Sequence, residues 1–127
     1  MVFAGDADRA IEWGERALRL SPFDPMSYAP YFSITLGHFQ RGEYEASAEA
    51  AHKVFQANPY WSSAHFLLAA AHAKLGRLDA AKSAAERVLE LEPGFTIRGL
   101  RAAFDIHESL AAPLSEALAV AGLPAEP

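Results

Sequence analysis

Arg41-Gly42-Glu43-Tyr44-Glu45-Ala46 is answered further along the chain by Gly76-Arg77-Leu78-Asp79-Ala80-Ala81, with Gly42 and Gly76 set 34 residues apart. Pro59 and Pro93, Val54 and Val88, and His38 and His72 keep the same interval. Each stretch opens a helix behind a glycine. Each closes alike, as Val54-Phe55-Gln56-Ala57-Asn58-Pro59 and as Val88-Leu89-Glu90-Leu91-Glu92-Pro93. A third copy lies upstream, from Gly5-Asp6-Ala7-Asp8-Arg9-Ala10 to Ala17-Leu18-Arg19-Leu20-Ser21-Pro22. It is offset by 37 residues because Phe23-Asp24-Pro25 lengthens the turn. A fixed period of this length means one supersecondary unit repeated, each unit burying its apolar face on the next.

Working outward, the units read as helical hairpins. Alanine, leucine, glutamate and arginine dominate, all good helix formers. The spacing predicts helices near 6–20, 25–41, 44–57, 60–75 and 78–91. Gly42 and Gly76 suit the left-handed conformation that ends a helix. The prolines after Ser21, Asn58 and Glu92 push the preceding residue out of helical geometry. Asp24-Pro25 reads as a cap followed by a first-turn proline. Pro30 means either a kink or a helix that starts near Tyr28. Residues 94–127 leave the period. Thr96 can cap a short helix reaching Phe104, and a second helix runs from Ser109 to Ala121, with Pro113 in its first turn and Gly122 ending it. Leu110, Leu114 and Leu118 form its apolar stripe. The expected organisation is one all-α domain: a half repeat over 1–25, repeats over 26–59 and 60–93, and a helical cap over 94–127.

Composition narrows the function. In 127 residues, 51% are hydrophobic, 21% are charged and the net charge is −5. That is enough apolar material for a packed core. The acidic balance argues against nucleic acid, which needs clustered Lys and Arg, and against an anionic membrane surface. With no cysteine, disulfides, thiolate nucleophiles and cysteine metal sites are excluded. No basic, apolar leader opens the sequence, and no apolar run approaches the ~18 residues of a bilayer span. A soluble cytoplasmic protein is the default.

No catalytic constellation stands above its structural alternative. His65 and His72 are two turns apart on one helix, roughly 10 Å, too far for one metal to bridge easily, and no carboxylate completes the spacing of zinc helices. The acidic pairs Glu12/Glu15, Glu43/Glu45 and Glu90/Glu92 read as solvated faces. The serines lack a nucleophile-elbow context and no glycine-rich phosphate loop exists. Arg77, Arg98 and Arg101 read as ordinary surface charge. No enzyme activity, metal or cofactor is expected.

These residues resemble the tetratricopeptide repeat family, whose units have two antiparallel helices. The first full repeat matches through Tyr31, Ile34, Thr35, His38, Gly42, Tyr44, Ser47, Ala51, Val54 and Pro59. The second matches through His65, Leu68, Ala69, His72, Gly76, Leu78, Ala81, Ala85, Val88 and Pro93. The half repeat supplies Gly5, Ala10, Gly14, Ala17 and Pro22. Thr35, Ser47 and the histidines depart from the family's usual residues at similar size, and His38 and His72 stand where it usually has tyrosine. The resemblance implies an α-α superhelix and a protein or peptide partner. A narrower likeness joins Ala17-Leu18-Arg19-Leu20-Ser21-Pro22-Phe23-Asp24-Pro25, Phe95-Thr96-Ile97-Arg98-Gly99-Leu100-Arg101 and Ala121-Gly122-Leu123-Pro124 to the repeat region following the cyclase domain of bacterial class III adenylate cyclases. It implies the C-terminal regulatory region of a bacterial signalling protein. Related transcriptional regulators carry similar tails, so cyclase and regulator both stay open.

In this family the first helix of each hairpin lines a concave groove. The resemblance places Ala29, Phe32, Leu36 and Phe39 there from one repeat, and Ser63, Phe66, Ala70 and Ala73, with Lys74 beside them, from the next. Phe32, Leu36 and Phe39 share one helical stripe, and Phe32 and Phe66 are repeat neighbours. The groove is apolar and aromatic. It lacks the Lys and Asn set with which some members clamp a chaperone's terminal carboxylate. An amphipathic helix or an extended peptide fits it; alternatively the chain's own cap, or a helix upstream, fills it. The first hairpin reads as missing its first helix, which leaves Ala10, Trp13, Ala17 and Leu20 short of cover. The chain is then a piece of a longer protein or a homodimer joined through that edge or through the groove.

Overall fold

The computed structural model describes residues 7–21, 28–59, 62–103 and 108–126. Expectations resting on Gly5, Pro22, Asp24-Pro25, Phe104 and His107 lie outside the described residues. Seven helices and no strand occur among the described residues: α1 (Ala7–Leu20), α2 (Tyr28–Gln40), α3 (Tyr44–Ala57), α4 (Ser62–Lys74), α5 (Leu78–Leu91), α6 (Ile97–Ala103) and α7 (Glu108–Ala121). Pro30 falls in the first described turn of α2, where its missing N–H costs nothing.

The turns between paired helices have one chemistry. Gly42 and Gly76 take φ of 76° and 77°. At the first, the Gly42 amide donates to Phe39 O at 3.0 Å and the Glu43 amide to His38 O at 2.9 Å. At the second, Gly76 donates to Ala73 O at 3.2 Å and Arg77 to His72 O at 2.9 Å. These are Schellman closures. Gly122, with φ of 100°, ends α7 in the same way, through Gly122 to Ala119 O at 3.1 Å and Leu123 to Leu118 O at 3.1 Å.

Neighbouring helices pack in sequence, α1 on α2, α2 on α3, α3 on α4 and α4 on α5. Small residues set the spacing, with Ala51, Ala64, Ala69, Ala70, Ala71 and Ala81 fully buried. Every residue from Ala64 to Ala71 is buried. A helix that is apolar all round belongs in the interior, and α4 is accordingly packed against α2, α3, α5 and α7.

The C-terminal segment departs from the stack. α4 packs more on α3 than on α2, whereas α7 packs more on α4 than on α5. α7 therefore lies toward the side on which the first helices of the hairpins face. Leu114, Ala117, Leu118 and Ala121 join the core there. The tail then returns to the start of α6, where Ile97 N donates to Pro124 O at 2.9 Å and Arg98 N to Ala125 O at 3.0 Å. Thr96 Oγ1 accepts from Gly99 N at 2.9 Å, so the first amides of α6 are satisfied.

Candidate functional site

The aromatic stripe is not an open groove. Phe32, Phe39 and Phe66 are only 6%, 2% and 4% exposed, and Leu36 and Ala70 are buried with them. Ala29, Ala73 and Lys74 are half-buried; the Ser63 side chain lies outside the described residues. Phe39 meets Tyr44 edge-on, with ring centroids 5.3 Å apart, and Phe66 meets Phe95 at 6.0 Å. Lys74 Nζ lies 3.8 Å from a carboxylate oxygen of Glu116 on α7. Phe32, Leu36, Phe39, Phe66 and Ala70 thus pack within the chain, while Ala29, Ala73 and Lys74 keep part of their surface exposed. α7 packs on α4, where Leu114, Ala117 and Leu118 are buried with the core.

The histidines serve packing and turns. The His65 ring stacks on Phe55 at 4.3 Å with its Nε2 3.5 Å from Pro59 O, and burial above all holds its pKa below the usual 6.5. His52 meets Phe55 edge-on, with ring centroids 5.2 Å apart. His38 Nδ1 lies 2.8 Å from Glu43 Oε1. Among the described residues no group of His, Asp or Glu is arranged to hold a metal.

A different concavity is open. It runs between α1 and α3, is floored by α2, and encloses about 450 Å³. Tyr31, Ile34 and His38 line its floor, Ile11 and Glu15 one wall, and Ala46, Glu49, Ala50 and Lys53 the other. One end is fixed by charge: Arg41 reaches Asp8 and Glu43, each at 3.3 Å, and Glu43 also holds His38. The His38 hydrogen bond keeps the Glu43 pKa below 4.5 against desolvation, with a lesser contribution from the Arg41 charge. Near the other end Lys53 Nζ lies 5.6 Å from the centroid of the Tyr31 ring. The sequence did carry a signal for this site. Tyr31, Ile34 and His38 form a second stripe on α2 at helical spacing, less apolar than Phe32, Leu36 and Phe39 and distinct from them.

The fold and this surface define an all-α helical-repeat scaffold. The tetratricopeptide repeat profile matches residues 38–104, just over half of the chain. The chain belongs to that family, whose repeats generally mediate protein–protein interaction. Comparison with individually characterised proteins gave no significant match. Among the described residues no helix is long and apolar enough to cross a membrane.

Proposed function

We propose that the chain is a non-enzymatic protein-interaction module that works without a cofactor and engages its partner through the groove between α1 and α3. The observation that carries this is the contrast between the two faces: the aromatic stripe is buried within the chain, while the α1–α3 groove stays open over Tyr31, Ile34 and His38 with charged rims. Such a lining suits an amphipathic helix. The segments around Ser21 and Phe95 and the closing Ala121-Gly122-Leu123-Pro124 support placement in the C-terminal, cytoplasmic regulatory region of a bacterial signalling protein such as an adenylate cyclase. The net charge of −5 supports a partner other than nucleic acid or an anionic membrane. Photo-crosslinking tests the surface, with the reactive residue placed at Ala50 or Lys53 in the groove and at Glu90 as control. Adducts with one protein from the groove positions, and loss of its binding on Ala50→Arg, are the expected result. Equal labelling from Glu90 rejects the site.

A second reading, self-assembly through the edge formed by α1, is favoured by one observation. Leu20 is 76% exposed, beside half-buried Trp13 and Leu18. Sedimentation over a wide concentration range decides it, since a monomer at all concentrations excludes it.

A further inference from the structure

A Schellman closure sets the residue after its glycine against the side chain five positions earlier, and an apolar pair is its usual content. At the end of α7 that pair is Leu118 and Leu123, both buried. At the end of α2 it is His38 and Glu43, joined at 2.8 Å. At the end of α4 it is His72 and Arg77. The repeat keeps the histidine and reverses the charge opposite it. His72 Nδ1 is correspondingly buried with no hydrogen-bond partner. Arg77 turns instead to Glu45 in the first turn of α3, with Nη1 and Nη2 bonded to the two carboxylate oxygens at 3.2 and 2.6 Å. That bidentate contact ties the start of α5 to the preceding repeat.

We infer that His72, Arg77 and Glu45 form a proton-sensitive clasp between consecutive repeats, closed while His72 is neutral and loosened when it takes a proton. A proton on His72 sets a second cation beside the guanidinium. The protonated Nδ1 also becomes a buried donor that needs an acceptor, and leaving it without one is costly. Around His72, the turn supplies Arg77 and α3 supplies Glu45 and His52; of these only the Glu45 carboxylate favours the charged ring. Glu45 is already engaged by Arg77. Of the other charges on helices packed against α4, Glu116 lies 3.8 Å from Lys74 and Arg87 2.8 Å from Glu90, while Glu49 and Lys53 on α3 and Asp79, Lys82 and Glu86 on α5 stand exposed. Burial, then Arg77 and His52, hold the His72 pKa below 6.5, so the clasp stays closed at neutral pH and yields in mild acid. The inference does not depend on which surface the partner uses.

Side-chain NMR titration of His72 in the whole chain tests the clasp through two substitutions of opposite sign. Arg77→Glu restores the pairing seen at His38 and raises the proton affinity of His72 by about tenfold or more, as expected for an opposite charge in place of a like one. Glu45→Gln removes the one favourable charge and lowers that affinity. The second readout is exchange of the Ala81 amide, which donates to Arg77 O at 2.9 Å. Corrected for intrinsic chemistry, its exchange accelerates as His72 titrates in the unmodified chain and loses that dependence in His72→Gln. Shifts of one sign in both substitutions, no shift in either, or the same pH-dependence of exchange with and without His72 overturns the inference.

Discussion

Gly14 of α1 and Gly37 of α2 are two points of one helix crossing at which neither helix has room for a side chain. A Cβ on Gly14 would stand 2.6 Å from Pro30 O and 2.5 Å from Ile34 Cγ1; one on Gly37 would stand 2.7 Å from Ala7 O and 2.6 Å from Ile11 Cγ1. In the α3–α4 crossing the repeat-equivalent positions are Ala51 and Ala71, both fully buried. The α1–α2 crossing has therefore traded two methyl groups for closer contact. The Ser33 hydroxyl also donates to Ala10 O across it at 2.8 Å.

Gly14→Ala and Gly37→Ala should each destabilise the chain by about 1–3 kcal/mol, because a backbone carbonyl stands in the way and the helices must separate. The usual gain of roughly 0.5–1 kcal/mol from replacing glycine inside a helix is too small to offset this. Urea unfolding measures the difference, and unchanged midpoints would show that the crossing is looser than described.

Gly42→Ala and Gly76→Ala test a different cause. No atom lies within 4 Å of an added Cβ at either site, yet both glycines have positive φ. The cost is backbone strain alone, about 1–2 kcal/mol. Asparagine at the same positions should recover part of it, which thermal unfolding of the three variants would reveal.

Phe39→Ala separates core from groove. With Phe39 only 2% exposed, truncation should cost about 3–5 kcal/mol. Leu118→Ala, at 0% exposed on α7, should cost about 2–5 kcal/mol. A residue lining an open peptide groove would instead lose binding while stability held, so denaturant unfolding and partner binding measured together distinguish the two roles.

Acid should weaken the fold in two windows. His65 and His72 have lowered pKa values, burial being the largest cause. Below pH 6.5 the unfolded chain therefore binds more protons than the folded one, and stability falls with pH until the folded values are passed. The Glu43 pKa is lowered chiefly by His38, so the contribution of that contact is lost only as pH falls below 4.5 and through the folded value. Urea midpoints measured from pH 7.5 to pH 3 should show both declines. A His65→Phe, His72→Gln double variant should lose the upper decline and keep the lower.

Repetition alone made the scaffold legible. The interval shared by Gly42 and Gly76, Val54 and Val88, and Pro59 and Pro93 places glycine after one helix and proline after the next, and both act through local backbone sterics. Thr96 as a cap was readable on the same grounds, whereas Pro113, expected in the first turn of the last helix, falls beyond it because α7 already runs from Glu108. What local rules could not supply was the occupant of the concave face. Phe32, Phe39 and Phe66 have the same helical spacing whether they meet a partner or the chain itself. The run Phe66-Leu67-Leu68-Ala69-Ala70-Ala71 did say that α4 is apolar all round, but not which element covers it.

The tertiary structure decided that α7 packs on α4, that the aromatic side chains of α2 and α4 are buried, and that a groove stays open between α1 and α3. It also decided the meaning of the repeated histidine. His38 and His72 are interchangeable as letters, and the turn makes them differ by setting Glu43 against one and Arg77 against the other. Helices and turns follow from neighbours along the chain, whereas burial and charge environment follow from neighbours in space, which this sequence brings together only by folding.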